Sequence, residues 1–264
     1  AKNSTINLIK HKIPKHTNID KSAKILIIRE QGIGDEILYG TMYADLLKEF
    51  PNVTIECDER LIPLFKNSFD ITNENKFVRL GLYSSNKNEI NKFKYIIYAG
   101  SLGKFFRNDI KSFPSTPYLK KVDSYTDLEL NKIIKDYDGL KIGIWWKSFK
   151  NRYAQEKSLK LNDFDHLFNL KNCIFFNLQY GNVDKELSYF IKKTNFKIIS
   201  LKDLDLFNNI VGIVNLLSKL DFFITVSNST AHIAGALGIK TILIKPISHA
   251  SFHYWDYNNN RTPW

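Results

Sequence analysis

Two strand-to-helix junctions, one near each end of the chain, constrain its fold more than anything else in the sequence. In the later one, Phe222 to Val226 form a short apolar, β-branched run bounded by Asp221 and Ser227, the mark of a buried strand. Ser227, Asn228, Ser229 and Thr230 follow, with hydroxyl and amide groups suited to capping a first helical turn. The helix after them, 229–237, is made of small residues that can lie close to a sheet or to a ligand, and Gly238 ends it. In the earlier junction, residues 24–29 (KILIIR) read as a strand of parallel type, and Glu30-Gln31-Gly32-Ile33-Gly34-Asp35-Glu36 follow directly. Gly32 and Gly34 supply a tight turn and close backbone approach. Asp35 and Glu36 then open a helix to about Phe50, where acidic side chains complement the dipole. Backbone N–H groups at such junctions face the C-terminal end of a sheet, the usual seat of a phosphate or other anion. A carboxylate in the first turn repels a phosphate, so Asp35 reads as a base as well as a cap. Neither junction has the third glycine of the dinucleotide fingerprint, and the chain contains no P-loop.

Between the junctions, strands alternate with helices, which places the chain in the α/β class. The first half reads as strands at 24–29, 53–57, 76–80 and 94–98, with helices at 35–50 and 59–66. Residues 111–125, with Pro114 and Pro117, form a crossing region; 126–136 read as helix, and Asp138-Gly139 as a turn. The second half restarts with strands at 140–146, 173–179, 197–200, 221–226 and 240–244, and helices at 162–169, 183–194, 209–219 and 229–237. Two successive series of similar size predict two Rossmann-like lobes facing a central cleft: a leader over 1–23, a first lobe over 24–138 and a second over 139–264. Ligands then belong at the strand C-termini.

At 264 residues, with 44% hydrophobic and 25% charged content, the chain has the composition of a globular protein. It lacks an apolar run of the roughly 20 residues that span a bilayer, and its N-terminus has neither the apolar region nor the cleavage site of a secretory signal. The expected location is therefore cytoplasmic. The chain starts at Ala1 without a methionine, as a piece of something longer would. Cys57 and Cys173 fall in separate strands and read as reduced core residues. The net charge of +11 is uneven: residues 1–24 carry 6 Lys/Arg against 1 Asp/Glu, residues 25–138 carry 16 against 17, and residues 139–264 carry 16 against 9. A lysine-rich solvated surface explains much of this. An anionic ligand or an anionic membrane face, with peripheral attachment at the inner side, explains the bias toward the second half. Nucleic acid is not expected, because no helix-turn-helix, RNA-recognition or zinc motif accompanies the charge.

Arg29-Glu30-Gln31-Gly32-Ile33-Gly34-Asp35, Gly143-Ile144-Trp145-Trp146-Lys147-Ser148, Asn177-Leu178-Gln179-Tyr180-Gly181 and the Val226 to Gly238 segment occur in this order. In combination they resemble the glycosyltransferase module at the C-terminus of many bacterial tetratricopeptide-repeat proteins, which is similar to glycosyltransferase family 9, the heptosyltransferases. The likeness runs from about Lys24 to Trp264 and includes the closing Tyr254-Trp255-Asp256 and Pro263-Trp264. It implies a GT-B fold and transfer of a sugar from a nucleotide-diphosphate donor to an acceptor hydroxyl, with inversion and without a metal. The base of that reaction corresponds to Asp35. The family's diphosphate lysine precedes a Ser-Leu pair, as Lys157 precedes Ser158-Leu159 here. The family's Asp and Gly before the retained His232 are replaced by Ser227 and Ser229, which puts the contact to the donor sugar, and a heptose donor, in doubt.

By position, Lys147 and Lys157 lie in a βα loop where they can neutralise a leaving diphosphate, or are surface lysines. Between them, 151–156 read as an exposed loop. Gln179 and Tyr180 end a strand and touch a base or ribose, or are turn residues. Ser227, Asn228, Ser229 and Thr230 offer hydrogen bonds to phosphate, and His232 is a donor-site or a packed histidine. Gly100 and Ser101, after strand 94–98, join Gly32 and Gly34 as an acceptor-side loop. No Asp-x-Asp, histidine pair or cysteine cluster suits a metal, so neither metal nor cofactor is expected, the nucleotide sugar being a substrate. The acceptor is a glycan, a lipid-linked glycan or a protein. The main reading is an inverting glycosyltransferase; the alternative is a non-catalytic GT-B module that holds a sugar nucleotide or glycan.

Overall fold

The computed structural model describes residues 9–114, 116–149, 154–194, 196–246 and 262. The chain divides into two compact units, Ala1–Lys120 with Pro263–Trp264, and Lys121–Thr262. The division falls ahead of the Asp138-Gly139 turn, so the helix before that turn belongs with the second unit. The closing 254–261 segment and residues 151–153 of the exposed loop lie outside the described residues.

The first unit is built on β1 (Ile25–Ile28), α1 (Ile33–Gly40), α2 (Tyr43–Glu49), β2 (Val53–Cys57), α3 (Ile62–Ser68), β3 (Phe77–Arg79), α4 (Lys87–Ile90), β4 (Tyr95–Tyr98) and α5 (Gly103–Phe106). Its strands form a parallel sheet in the order β3-β2-β1-β4, with Ile25 level with Val53 on one side and Tyr95 on the other. β1 is buried along its whole length, which its unbroken apolar run anticipates for a strand covered on both faces. Tyr43, Phe65, Phe69 and Phe77 pack ring against ring beside the sheet, Tyr43 and Phe65 edge-on at 5.5 Å. The leader is not separate: Ile9 packs with Leu26, Ile28, Ile90, Phe93 and Ile96, and the Lys12 ammonium donates to the Phe93 carbonyl at 2.6 Å.

The helix expected over 35–50 is two helices. The Ile37 carbonyl, which would accept the Thr41 amide in a continuous helix, accepts the Tyr118 hydroxyl instead. The Thr41 amide turns to Leu38 at 3.4 Å, and the Thr41 carbonyl is taken by Arg107 at 2.6 Å. The turn before α1 also differs in detail. The left-handed residue is Gln31, at φ 57°, and Gly32 is extended at φ −104°.

The second unit comprises α6 (Leu128–Ile134), β5 (Leu140–Trp145), α7 (Asp165–Phe168), β6 (Cys173–Asn177), α8 (Asp184–Thr194), β7 (Ile198–Ile199), α9 (Ile210–Leu217), β8 (Phe222–Val226), α10 (Ser229–Ala236) and β9 (Thr241–Ile244). The five strands are parallel in the order β7-β6-β5-β8-β9. The order reverses between β5 and β8, where Ile142 stands level with Phe222. The expected helix 162–169 is a 3-10 turn, Leu161–Phe164, followed by the single turn α7. Phe168 explains its placement, because it meets Phe175 edge-on at 4.8 Å and Phe190 at 5.3 Å in the core. Cys57 is buried in β2, Cys173 starts β6, and both are free thiols.

Candidate functional site

In the first unit, chemistry gathers where β1 and β4 leave the sheet. Asp35 stands in the first turn of α1 and accepts the Gly32 amide at 3.1 Å through Oδ2, the only hydrogen bond of that carboxylate among the described residues. Glu30 reaches across to the 3-10 turn Ala99–Leu102 and accepts the Gly100 amide at 2.9 Å. Gly100 is closely approached: a Cβ there would meet Glu30 Oε2 at 2.9 Å and the Tyr39 ring at 3.0 Å, so both side chains would have to shift. Burial, followed by the charges of Asp35 and Glu30, pushes the Tyr39 phenol above its ordinary range. Asp35, Glu30, Tyr39 and Gly100 are thus neighbours, and Ser101 sits half-buried on the same 3-10 turn.

On the other side of β1 lies a part-buried ionic network. The Arg29 guanidinium meets Glu36 at 2.9 Å and Asp58 at 3.2 Å, and donates to the Gln31 carbonyl at 2.9 Å. Glu36 accepts the Asp58 amide at 2.8 Å. Glu36 is therefore not a solvated dipole partner; it is fully buried, and that burial pushes its carboxyl up to about 7 against the pull of Arg29.

In the second unit, α10 begins at the exit of β8. Asn228 is its cap: the side-chain oxygen accepts the Ala231 amide at 2.9 Å, and the side-chain nitrogen donates to Thr225 Oγ1 at 2.7 Å and to the Val226 carbonyl at 2.9 Å. The Asn228 amide group is thus committed to the strand end, and Thr230 is buried. The Ser229 and Thr230 backbone amides open the helix, where no preceding turn can accept them. Ser227 and Ser229 are half-buried at the same end. Burial drives the His232 imidazole down to about 3, so it is neutral at physiological pH.

The neighbouring exits of β5 and β6 hold Lys147, Lys157, Gln179 and Tyr180. Gln179 is buried, and its oxygen accepts the Trp146 and Lys147 amides at 3.1 and 2.7 Å, while its nitrogen donates to the Tyr180 carbonyl at 3.0 Å. It is a brace between two loops. Lys147, expected at the diphosphate, instead pairs its ammonium with Glu186 on α8, which also accepts Trp146 Nε1 at 3.4 Å. Lys157 is buried beside β5, because the Leu159 amide returns to the Trp146 carbonyl at 2.7 Å and the Ser148 amide reaches Ser158 Oγ at 3.0 Å. The Tyr180 ring packs edge-on with Trp145 at 5.0 Å and with Phe207 at 5.3 Å, and tilts against Phe149 at 5.5 Å.

The sequence reading misses Arg29, Glu30, Tyr39, Glu186 and the rings Phe149 and Phe207. Arg29-Glu30 carry one usable signal, two opposite charges closing an apolar strand. Among the described residues, no three or more His, Cys, Asp or Glu side chains group as metal ligands, and no helix is long and apolar enough to cross a membrane.

No protein-family model matches the chain. Protein FlbA of Caulobacter vibrioides is 24% identical over 241 residues, which cover 85% of this chain and 39% of FlbA. The chain thus spans about two fifths of the length of that curated relative. Among solved structures, the glycosyl transferase family 9 protein of Veillonella parvula DSM 2008 superposes with a TM-score of 0.58 at 12% identity, over 88% of this chain and 84% of that one. The E. coli ADP-heptose lps heptosyltransferase II gives 0.55 at 10%, over 83% and 84%. E. coli heptosyltransferase WaaC with ADP-2-deoxy-2-fluoro heptose gives 0.52 at 10%, over 90% and 91%. The fold is therefore the GT-B-like α/β architecture of glycosyltransferase family 9 structures.

Proposed function

We propose that the chain is a glycosyltransferase that moves a sugar from a nucleotide-diphosphate donor to an acceptor hydroxyl, with inversion and without a metal. The observation that carries this reading is Asp35. It is a carboxylate at the exit of a central parallel strand, with one oxygen on the Gly32 amide and the other without a hydrogen bond among the described residues, in a fold of which heptosyltransferases are examples. In the proposed reaction the acceptor hydroxyl attacks the anomeric carbon, its proton passes to Asp35, and the bond to the diphosphate breaks from the opposite face. The second unit takes the donor. Its α10 amides at Ser229 and Thr230 and the buried Lys157 meet the developing negative charge, and neutral His232 serves as a hydrogen-bonding group. The WaaC structure, with a fluorinated ADP-heptose, is the model for the donor class. The sequence likeness further suggests that the chain is the transferase part of a tetratricopeptide-repeat protein acting on a glycan, lipid-linked glycan or protein acceptor, with its basic second half toward an anionic membrane face.

A panel of nucleotide sugars, with release of the nucleoside diphosphate measured, tests the reading. Asp35→Asn should fold and bind donor yet lower turnover by roughly 10²- to 10⁴-fold, and wild-type turnover should persist in EDTA. Near-normal turnover in Asp35→Asn removes this base; loss with chelator and recovery with Mn²⁺ removes the metal-free mechanism. A second reading, a module that binds a sugar nucleotide without turnover, is favoured by Ser227 where the resembled family has Asp and by the pairing of Lys147 with Glu186. It predicts donor binding with no product.

A further inference from the structure

We propose that Arg29 and Glu30 are positioning residues that clamp the turn carrying Asp35 from both sides, an inference that rests on Asp35 being the base. β1 lies between β2 and β4 in its sheet, so the chain leaving it has a neighbouring loop on each flank. The two residues that follow β1 use one flank each. Glu30 accepts the Gly100 amide at 2.9 Å, on the loop after β4. Arg29 holds Asp58 at 3.2 Å, on the loop after β2.

The residue that follows them is the strained one. Gln31 sits at φ 57°, a conformation that costs a side-chain-bearing residue about 1 kcal/mol or more and persists only where its surroundings impose it. Arg29 supplies that constraint directly, donating from Nη2 to the Gln31 carbonyl at 2.9 Å while its Nε meets Glu36 at 2.9 Å. Glu36 adjoins Asp35 on α1 and closes the ring by accepting the Asp58 amide at 2.8 Å. Arg60 holds Asp58 in turn, Nε to Oδ1 at 2.8 Å. One planar guanidinium thus fixes a carbonyl, a helix and a neighbouring loop, which an ammonium on a flexible stem does not reproduce.

The turn hands this fixed geometry on to Asp35 through Gly32, whose amide orients the carboxylate at 3.1 Å. On the opposite flank the fit is close, since a Cβ at Gly100 would meet Glu30 Oε2 at 2.9 Å and the Tyr39 ring at 3.0 Å. Releasing either clamp lets Gln31 relax to a commoner conformation and turns Asp35 away from its working position, with the donor-binding residues of the other unit untouched.

The test uses the full chain with Glu30→Ala, Glu30→Asp, Glu30→Gln and Arg29→Lys. Two quantities are read: hydrogen exchange across 30–38, and kcat with KM for the nucleotide sugar. Glu30→Ala and Glu30→Asp, which lack the reach to Gly100, should exchange roughly tenfold faster in that segment. They should also lose about 10- to 100-fold in kcat, with donor KM within about twofold of wild type. Arg29→Lys should behave alike. Glu30→Gln keeps an oxygen for the Gly100 amide and should recover most of both quantities, which a charge effect would not allow. Wild-type exchange and kcat in both Glu30→Ala and Glu30→Asp overturn the clamp, as does a loss expressed wholly in KM. If the wild-type chain turns over no nucleotide sugar, the transferase reading fails, and exchange alone then decides the clamp: acceleration in Glu30→Ala reversed in Glu30→Gln supports it, and unchanged rates overturn it.

Discussion

At the scale of single residues, the site is braced by side chains whose polar atoms are already engaged. Gln179 is the clearest, a buried amide whose oxygen takes two consecutive backbone N–H groups at the exit of β5. Gln179→Ala leaves both amides without that acceptor and should cost about 2–4 kcal/mol, read as a lowered urea midpoint at unchanged m-value. Any loss of donor affinity in that variant should track the displacement of Trp146 and Lys147. Asp35 and the cap at Asn228 are legible in the sequence because a glycine turn and a run of small polar residues act locally. Arg29, Glu30 and Gln179 are not, because their partners Asp58, Gly100, Trp146 and Lys147 become neighbours only once strand order is set. Lys147 illustrates the same limit: its loop position is read correctly, but Glu186 comes from a helix 39 residues away.

At the scale of elements, short runs rich in apolar residues locate the strands of both sheets, even where β2 carries Glu56, β5 carries Lys141 and β9 is half exposed. What stays hidden is how loops and helix ends are fastened. The break between α1 and α2 depends on Tyr118, 81 residues from the carbonyl it takes; Gly40, the last residue of α1, is its local mark, and a Cβ there would meet the Tyr118 hydroxyl at 2.8 Å. The loop after β3 is a second case. Glu56, fully buried on β2, accepts the amides of Gly81, Tyr83 and Ser84 at 3.1, 2.7 and 2.8 Å and the Ser84 hydroxyl at 2.6 Å. Four donors converge on one carboxylate, so Glu56→Gln sets an N–H₂ group against other donors. It should destabilise the first unit by about 2–4 kcal/mol and raise hydrogen exchange at 80–86 before the rest of that unit.

At the scale of the whole molecule, each unit holds a group whose titration is displaced by burial, Glu36 in the first and His232 in the second, and the two respond to pH with opposite sign. Glu36 has a folded value of about 7 against an ordinary 4.5. The folded first unit therefore binds more protons than its unfolded chain between those values, and loses stability as pH rises through that window. His232 falls to about 3 from an ordinary 6.5, so the unfolded second unit binds more protons and the folded unit gains stability as pH rises from about 3 to 6.5. Each slope approaches about 1.4 kcal/mol per pH unit. Between pH 5 and 6.5, hydrogen exchange corrected for intrinsic rates should show the first unit weakening by about 2 kcal/mol and the second strengthening by a similar amount. Glu36→Gln should abolish the first drift and His232→Asn the second. Asp20, held near 2 by Ser22 and Lys94, and Asp58, held low by Arg60, titrate below this window.

The wholly parallel pairing of both sheets also bears on how the chain acquires its structure during synthesis. No two strands paired in either sheet can be closed by a tight hairpin; each pair waits for a crossover to be made first. In the first unit the last required strand, β4, ends at Tyr98, so its sheet can close while the second unit is still being translated. β5 has a longer wait on one side, because Ile142 must meet Phe222. Until β8 emerges from the ribosome, the apolar run Ile142-Gly143-Ile144-Trp145 is an open sheet edge, and the nascent second unit is where a chaperone is most needed and where aggregation begins if none arrives.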